Sequence, residues 1–382
     1  MSYAAPPFWP TALAAACAPC SGIGLARFAY VPLFPAMVAA GWVDGAGAGL
    51  LGAANLAGYL IGVLAARRVG MAIGTARTLD LGLLLVVLCF ALCGFRGGLW
   101  WFMPWRLLAG VAGGLLMGLA GPATQASVAP ERRGLAGGIV IGGVGAGVSL
   151  AAVAVPLLVP LGVPMAWFGL AGLVLCLWAY AHPRWPAAPV GPAAVPGRAP
   201  PRAAYMILAY GLSGGGLVPP MIYLADLAVR GRGLPLAWAS GVWLLFGLGG
   251  IIGTLCSGTA ADRLGATRSY RLWLVLQVLA LALCLPPSPW LLVPAAILSG
   301  FAAMGVTAVV LALARERAGP AAGAVWSQTT ACFAVIQAAV AFGLAQLFAA
   351  TGESHLALFG VGLGLSVAAL AVLLAEPRIV IT

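Results

Sequence analysis

Residues 134–181 read GLAGGIVIGGVGAGVSLAAVAVPLLVPLGVPMAWFGLAGLVLCLWAYA, without a charged residue or a histidine. One bilayer crossing takes about 20 apolar residues, so this run holds two crossings. Pro160-Leu161-Gly162-Val163-Pro164 marks the turn between them. The rest of the chain has the same character: of 382 residues, 63% are hydrophobic and 7% charged. A soluble domain of this length needs far more charge to cover its surface, whereas a bilayer needs none over most of its depth. The chain is therefore read as an integral membrane protein.

Outward from that run, helices 1 to 4 are expected near 11–36, 46–66, 78–95 and 99–123, with helices 5 and 6 in the run itself. Residues 182–202 carry seven prolines, three arginines and one histidine, the composition of a stiff, solvated linker. Helices 7 and 8 follow near 203–226 and 237–260. The uncharged stretch 272–314 holds helices 9 and 10, separated by Pro286-Pro287-Ser288-Pro289. Helices 11 and 12 fit near 321–350 and 355–376. The expected fold is all-α and polytopic, with 12 transmembrane helices in three parts: a six-helix bundle over 1–181, a cytoplasmic Pro-rich linker over 182–202 and a second bundle over 203–382. No basic region precedes the first apolar stretch, which is also too long for a signal core, so it is read as a retained helix.

All 19 basic residues are arginine. With the N-terminus inside, fourteen fall on the cytoplasmic side: Arg67, Arg68, Arg77, Arg132, Arg133, Arg184, Arg198, Arg202, Arg263, Arg268, Arg271, Arg315, Arg317 and Arg378. Only Arg96, Arg230 and Arg232 fall outside. This asymmetry predicts a multi-pass protein of a bacterial inner membrane with both termini cytoplasmic. It also accounts for the net charge of +11 without nucleic acid, because no gap interleaves basic and aromatic residues as a nucleic-acid surface does. The eight cysteines lie mostly in apolar runs, where they pack as small apolar residues rather than forming a disulfide framework. With His182 and His355 far apart and no acid cluster, the chain does not read as an enzyme. A non-transporting sensor would bring a soluble signalling domain or long tail, and neither is present. Cys17 and Cys20 with scattered methionines leave a copper carrier as an alternative chemistry, although no helix carries a methionine-rich spacing.

The two halves echo each other. Glu131-Arg132-Arg133-Gly134 with Ala136-Gly137 after helix 4 returns, 185 residues on, as Glu316-Arg317-Ala318-Gly319 with Ala322-Gly323 after helix 10. Parallel six-helix repeats are how one large class of transporters is built. The loop after helix 8, Gly258-Thr-Ala-Ala-Asp262-Arg263-Leu264-Gly265 followed by Arg268, resembles the G-x-x-x-D-R-x-G-R loop of the major facilitator superfamily. The equivalent first-half loop has Arg67-Arg68 where the superfamily has its acid. Arg106, Gly110 and Gly114 in helix 4 resemble that superfamily's R-x-x-x-G pattern, whereas the Gly-Pro motif of helix 5 in many antiporters is absent. Gly22-Ile-Gly24-Leu-Ala-Arg27-Phe28-Ala-Tyr30-Val-Pro32-Leu33, with Asn55-Leu-Ala-Gly58-Tyr59-Leu60, is similar to the YbfB/YjiJ branch. The resemblance implies a major-facilitator-like fold, two bundles around a central cavity. It also implies a secondary transporter of a small organic solute working by alternating access, with no cofactor, as a monomer among membrane lipids. Gly258, Asp262, Arg263, Gly265, Arg268, Arg67 and Arg68 would act in gating.

The candidate site rests on two arginines within helices. A buried, unpaired arginine costs at least about 2.5 kcal/mol on insertion scales. At 1.5 Å per residue, Arg27 and Arg106 come to similar depths. A substrate anion would relieve them, hence a lean toward anions, with protons or an exchanged solute as the driving species. The alternative role of each arginine is to cap backbone carbonyls or brace helix packing. All eight acids fall at helix ends or loops, with Asp44 the expected cap of helix 2 and Asp226 the remaining titratable candidate, near Arg230. Tyr30, Asn55, Tyr59, Tyr210 and Gln328 complete the expected substrate-binding set, with Ser213 and Gln337 as further polar groups within helices. The glycines of helix 5 read as close helix packing rather than a phosphate loop.

Overall fold

The computed structural model describes residues 8–186, 203–319 and 322–376. Residues 187–202 of the linker, with Arg198 and Arg202, and also Arg378, lie outside the described residues. No strand occurs among the described residues. Spans 2 to 6 are Gly45–Ile73, Thr75–Cys93, Leu99–Ser127, Arg133–Leu158 and Val163–Ala181. Spans 8 to 12 are Ala237–Leu264, Ala266–Leu283, Leu292–Ala318, Ala322–Ala350 and His355–Leu374. By length and apolarity, eleven helices among the described residues qualify to cross a membrane. Ala266–Leu283 falls short of that standard because Arg268, Arg271 and Gln277 dilute an 18-residue helix. It starts six residues before the uncharged stretch, at Gly265, whose φ of 83° suits glycine.

The first span departs most from expectation. It is not one regular helix over 11–36 but Phe8–Pro19, a π-helical turn Cys20–Leu25, a hydrogen-bonded turn over 26–29, and Tyr30–Ala39. Ala26 and Phe28 donate five residues back, to Ser21 and Ile23 carbonyls at 2.9 and 3.2 Å. Pro32 and Pro35 cannot donate to the ladder that would carry the helix through. The seventh span breaks likewise: Ala203–Gly216, then Val218–Asp226, then a π-helical turn Leu227–Gly231. Pro219 and Pro220 follow its break at Leu217. Both breaks are sites where backbone groups need other partners.

By its contacts the chain divides into two compact units, Met1–Pro192 with Pro235–Leu244, and Ala193–Leu234 with Leu245–Thr382. Within the first, spans 2 and 4 touch backbone to backbone. A Cβ on Gly110 would strike the Asn55 carbonyl, and one on Gly62 the Val111 carbonyl. The Gly143 and Gly147 positions of span 5 lie against the Ala16 and Cys20 carbonyls of span 1, which is close helix packing. The second unit repeats the device between spans 8 and 10, where Gly300 meets the Phe246 carbonyl. Asp44 caps span 2 by accepting from the Gly47 amide at 2.7 Å. Asp80 accepts from the indoles of Trp178 and Trp185 at 3.0 and 2.7 Å and pairs with His182 at 2.9 Å, tying the end of span 6 to span 3.

Large apolar side chains face outward along the spans: Leu64, Leu157 and Leu255 are 64–72% exposed, as lipid contact allows. Trp100 and Trp290, 82% and 74% exposed, stand at the starts of spans 4 and 10, where indoles favour the membrane interface.

Candidate functional site

Arg27 sits in the turn of span 1 over 26–29, and Arg106 reaches the same turn from span 4. Arg106 Nη1 donates to the Ala26 carbonyl at 2.8 Å, so the two arginines assigned similar depths meet at one break. Their surroundings differ. Arg106 is 1% exposed, and its guanidinium carbon lies 4.3 Å from the centre of the Tyr30 ring. Asn55 Nδ2 donates to the Arg106 carbonyl at 3.2 Å, and the Tyr30 hydroxyl donates to the Ala48 carbonyl at 2.7 Å. Spans 1, 2 and 4 are thus stitched through backbone carbonyls. In this conformation Arg106, Tyr30 and Asn55 brace spans 1, 2 and 4, while Nε and Nη2 of Arg106 are buried without a hydrogen-bond partner among the described residues.

Arg27 is partly exposed. Its guanidinium carbon lies 4.3 Å from the centre of the Tyr59 ring, and Tyr59 is itself partly exposed. Stacking of this kind contributes about 0.5–2 kcal/mol and satisfies no N–H group. Nε and Nη2 of Arg27 are buried without a hydrogen-bond partner among the described residues. No carboxylate pairs with either arginine there; the ion pairs found engage Arg230, Arg317, His182 and His355. Arg27 is thus held against a ring face, with two donors that have no hydrogen-bond partner among the described residues.

The C-terminal candidates are not arranged in this way. Tyr210 is 3% exposed, lies 3.2 Å from the Thr307 hydroxyl and stacks on Phe333 with 4.5 Å between ring centres. Gln328 is exposed. The polar centre of the second unit involves two residues that sequence reasoning passed over. Gln277 accepts from the Ser213 hydroxyl at 2.8 Å, donates to the Ser213 carbonyl at 3.0 Å and donates to the Ser366 hydroxyl at 2.8 Å. A lone glutamine among leucines in a short span was the available signal. Gln337, 2% exposed, donates to the Met221 sulfur at 3.5 Å.

Asp226 is fully buried, one turn inside a span that runs on to Gly231, rather than at the helix end expected near 226. Arg230 clasps it with Nε at 2.6 Å and Nη2 at 2.9 Å, and His355 Nε2 lies 2.8 Å from its second oxygen. Among the gating candidates, Asp262, Arg263, Arg268, Arg67 and Arg68 are exposed and form no ion pair among the described residues. A Cβ added at Gly258 or Gly265 would meet open space. Cys17 and Cys20 are buried, with Cys17 Sγ donating to the Leu13 carbonyl at 3.3 Å. No group of three or more metal-ligating side chains gathers among the described residues.

The helical architecture is that of a major facilitator transporter. It is similar to a crystal structure of the nucleoside transporter NupG, with a TM-score of 0.73 at 14% identity over 95% of this chain and 98% of that one. For a crystal structure of a NupG point mutant the TM-score is 0.71 at 12% identity over 96% and 100%. At such identities the likeness concerns the fold. No curated protein sequence matches the chain. Residues 20–373 match the family described as uncharacterised MFS-type transporter YbfB, and the chain belongs to that family. It is a multi-pass membrane transporter of the major facilitator type.

Proposed function

We propose that this transporter carries a small organic anion by alternating access, as a monomer in a bacterial inner membrane with both termini cytoplasmic, and that the anionic group seats on Arg27. The observation that carries the reading is the Arg27 fork: stacked on Tyr59, with Nε and Nη2 buried and, among the described residues, neither a hydrogen-bond partner for them nor a carboxylate on the side chain. Arg106 supports this site indirectly by capping Ala26, which fixes the backbone immediately before Arg27. Tyr59 supplies a flat, apolar wall beside the charge. A screen of the purified full-length protein by thermal unfolding tests the reading. Small carboxylates are expected to raise the midpoint in proportion to the logarithm of their concentration, with amines and sugars inert. Stabilisation by amines alone contradicts the anion assignment, and stabilisation by copper(I) alone favours a metal carrier.

The Asp262 loop is proposed as a gate formed in only part of the cycle, since Asp262 is exposed and unpaired among the described residues in this conformation. Asp262→Asn is expected to slow transport by about tenfold, the size of one charge-assisted bond, while the unfolding midpoint stays within about 1 °C of the parent. Equal transport rates for the two proteins show that the loop does not gate.

A further inference from the structure

Span 2 ends at Ile73 and span 3 starts at Thr75, with Gly74 as the turn between them at a φ of 91°. Arg67, Arg68 and Arg77 flank that turn, all three exposed. We propose that this turn binds one anionic phospholipid, its phosphate held by Arg68 and Arg77 with Arg67 beside them, its acyl chains laid along spans 2 and 3. The proposal rests on the membrane-spanning fold, and on neither the anion assignment at Arg27 nor the Asp262 gate.

The charge on the turn is one-sided. From Gly45 to Leu79 the chain carries these three arginines and no acid. The acids at either limit are occupied. Asp44 caps the far end of span 2, and Asp80 accepts from two indoles and pairs with His182. None of the three arginines forms an ion pair among the described residues. At 1.5 Å per residue, Arg68 lies about 9 Å and Arg77 about 5 Å from Gly74 along their spans, a difference in depth that one side chain covers. Exposed guanidinium groups at one level suit a phosphodiester, which offers two acceptor oxygens.

Away from the turn, each span continues as an exposed apolar stripe. On span 3, Arg77 is followed at helical spacing by Leu81, Leu84 and Leu88; on span 2, Arg68 is preceded by Leu64 and Ile61. Cation at the rim and leucine inward is the order of a phospholipid from phosphate to acyl chain, whereas a free phosphate would use the rim alone. The span 3 stripe returns 191 positions on, as Arg268, Leu272, Val275 and Leu279, after the turn glycine Gly265 with its φ of 83°. There Asp262 stands three residues before the glycine, at the place that Met71 takes in the first turn. A carboxylate at the rim repels a phosphodiester, so the first turn is the stronger site of the two.

Native mass spectrometry of the full-length protein in detergent tests the proposal, with phosphatidylglycerol and phosphatidylcholine of matched chains as probes and no solute added. One phosphatidylglycerol is expected to bind saturably, at least about tenfold more tightly than phosphatidylcholine. Arg68→Gln and Arg77→Gln should each weaken it by about fivefold, and the double variant should no longer distinguish the two lipids. Both substitutions fall on exposed side chains, so unfolding midpoints are expected to stay within about 1 °C of the parent, and either single variant serves alone. Arg315→Gln removes an exposed arginine beside Glu316 at the end of span 10 and should leave the affinity unchanged. Glycerol 3-phosphate in large excess should not displace the lipid. Equal affinity for the two lipids, displacement by glycerol 3-phosphate, or the same loss in Arg315→Gln as in Arg68→Gln and Arg77→Gln would each overturn the proposal.

Discussion

Arg27→Ala is expected to lower the affinity for an organic anion by about 100-fold while leaving the protein folded. The loss corresponds to about 3 kcal/mol, the upper range for hydrogen bonds to a charged group. Folding is spared because the side chain makes no hydrogen bond found among the described residues. Its Nε and Nη2 are unpaired among the described residues, and its guanidinium lies against the ring of Tyr59, with the Phe28 ring further off. Removing an unpaired cation from a spanning segment favours the inserted state, so the unfolding midpoint should hold or rise. Arg27→Lys keeps the charge but loses the planar fork, and a smaller loss of about tenfold is expected. Isothermal calorimetry on matched folded protein reads both. Unchanged affinity in Arg27→Ala would make Arg27 a brace.

Gly110→Leu is expected to abolish the folded protein. The space that leucine would need is occupied by the Asn55 carbonyl and by the backbone at Tyr59, not by the end of a flexible side chain. Spans 2 and 4 would have to separate, and with them would go the Asn55 bond to the Arg106 carbonyl and the Arg106 cap on Ala26. Even Gly110→Ala should cost about 1–3 kcal/mol, the usual range for overpacking. Size-exclusion profiles and unfolding midpoints in detergent report the outcome. Gly138→Leu makes the control, since a Cβ there meets nothing within 4 Å. A monodisperse Gly110→Leu protein with the parent midpoint would mean that the contact between spans 2 and 4 is looser than described.

The all-helical, polytopic class and the approximate positions of the spans were legible because charge is excluded from the bilayer centre. Uncharged runs such as 134–181 therefore had one reading, and the loop motifs placed them in a known architecture. The break in span 1 was not legible, because Cys20–Ala29 lies inside one long run whose single charge, Arg27, fits a continuous helix as readily as a broken one. Periodicity does not register a ladder that fails at two prolines and is mended by Arg106 from another span. Arg106 shows the same limit. Its depth followed from counting residues, but whether its guanidinium met a solute or a carbonyl depended on the Ala26 carbonyl being free of regular helix. Asp226 and His355 are 129 positions apart, and neither carries a local signal of the other. A histidine at a helix start and an acid four residues before an arginine each had an ordinary local reading. Gln277 was hidden for a different reason: one amide in an apolar helix states a need for partners without naming them.

The central claim, an anion carrier whose site is Arg27, is tested most directly by counterflow. Proteoliposomes are loaded with the anion that most stabilises the parent, diluted into a trace of the labelled anion, and followed in time without any ion gradient. Alternating access through Arg27 predicts a transient overshoot of label inside the vesicles, present for the parent, slowed for Arg27→Lys and absent for Arg27→Ala at equal protein density. An overshoot of the same height in Arg27→Ala, or a parent that exchanges an organic cation and no anion, would contradict the account.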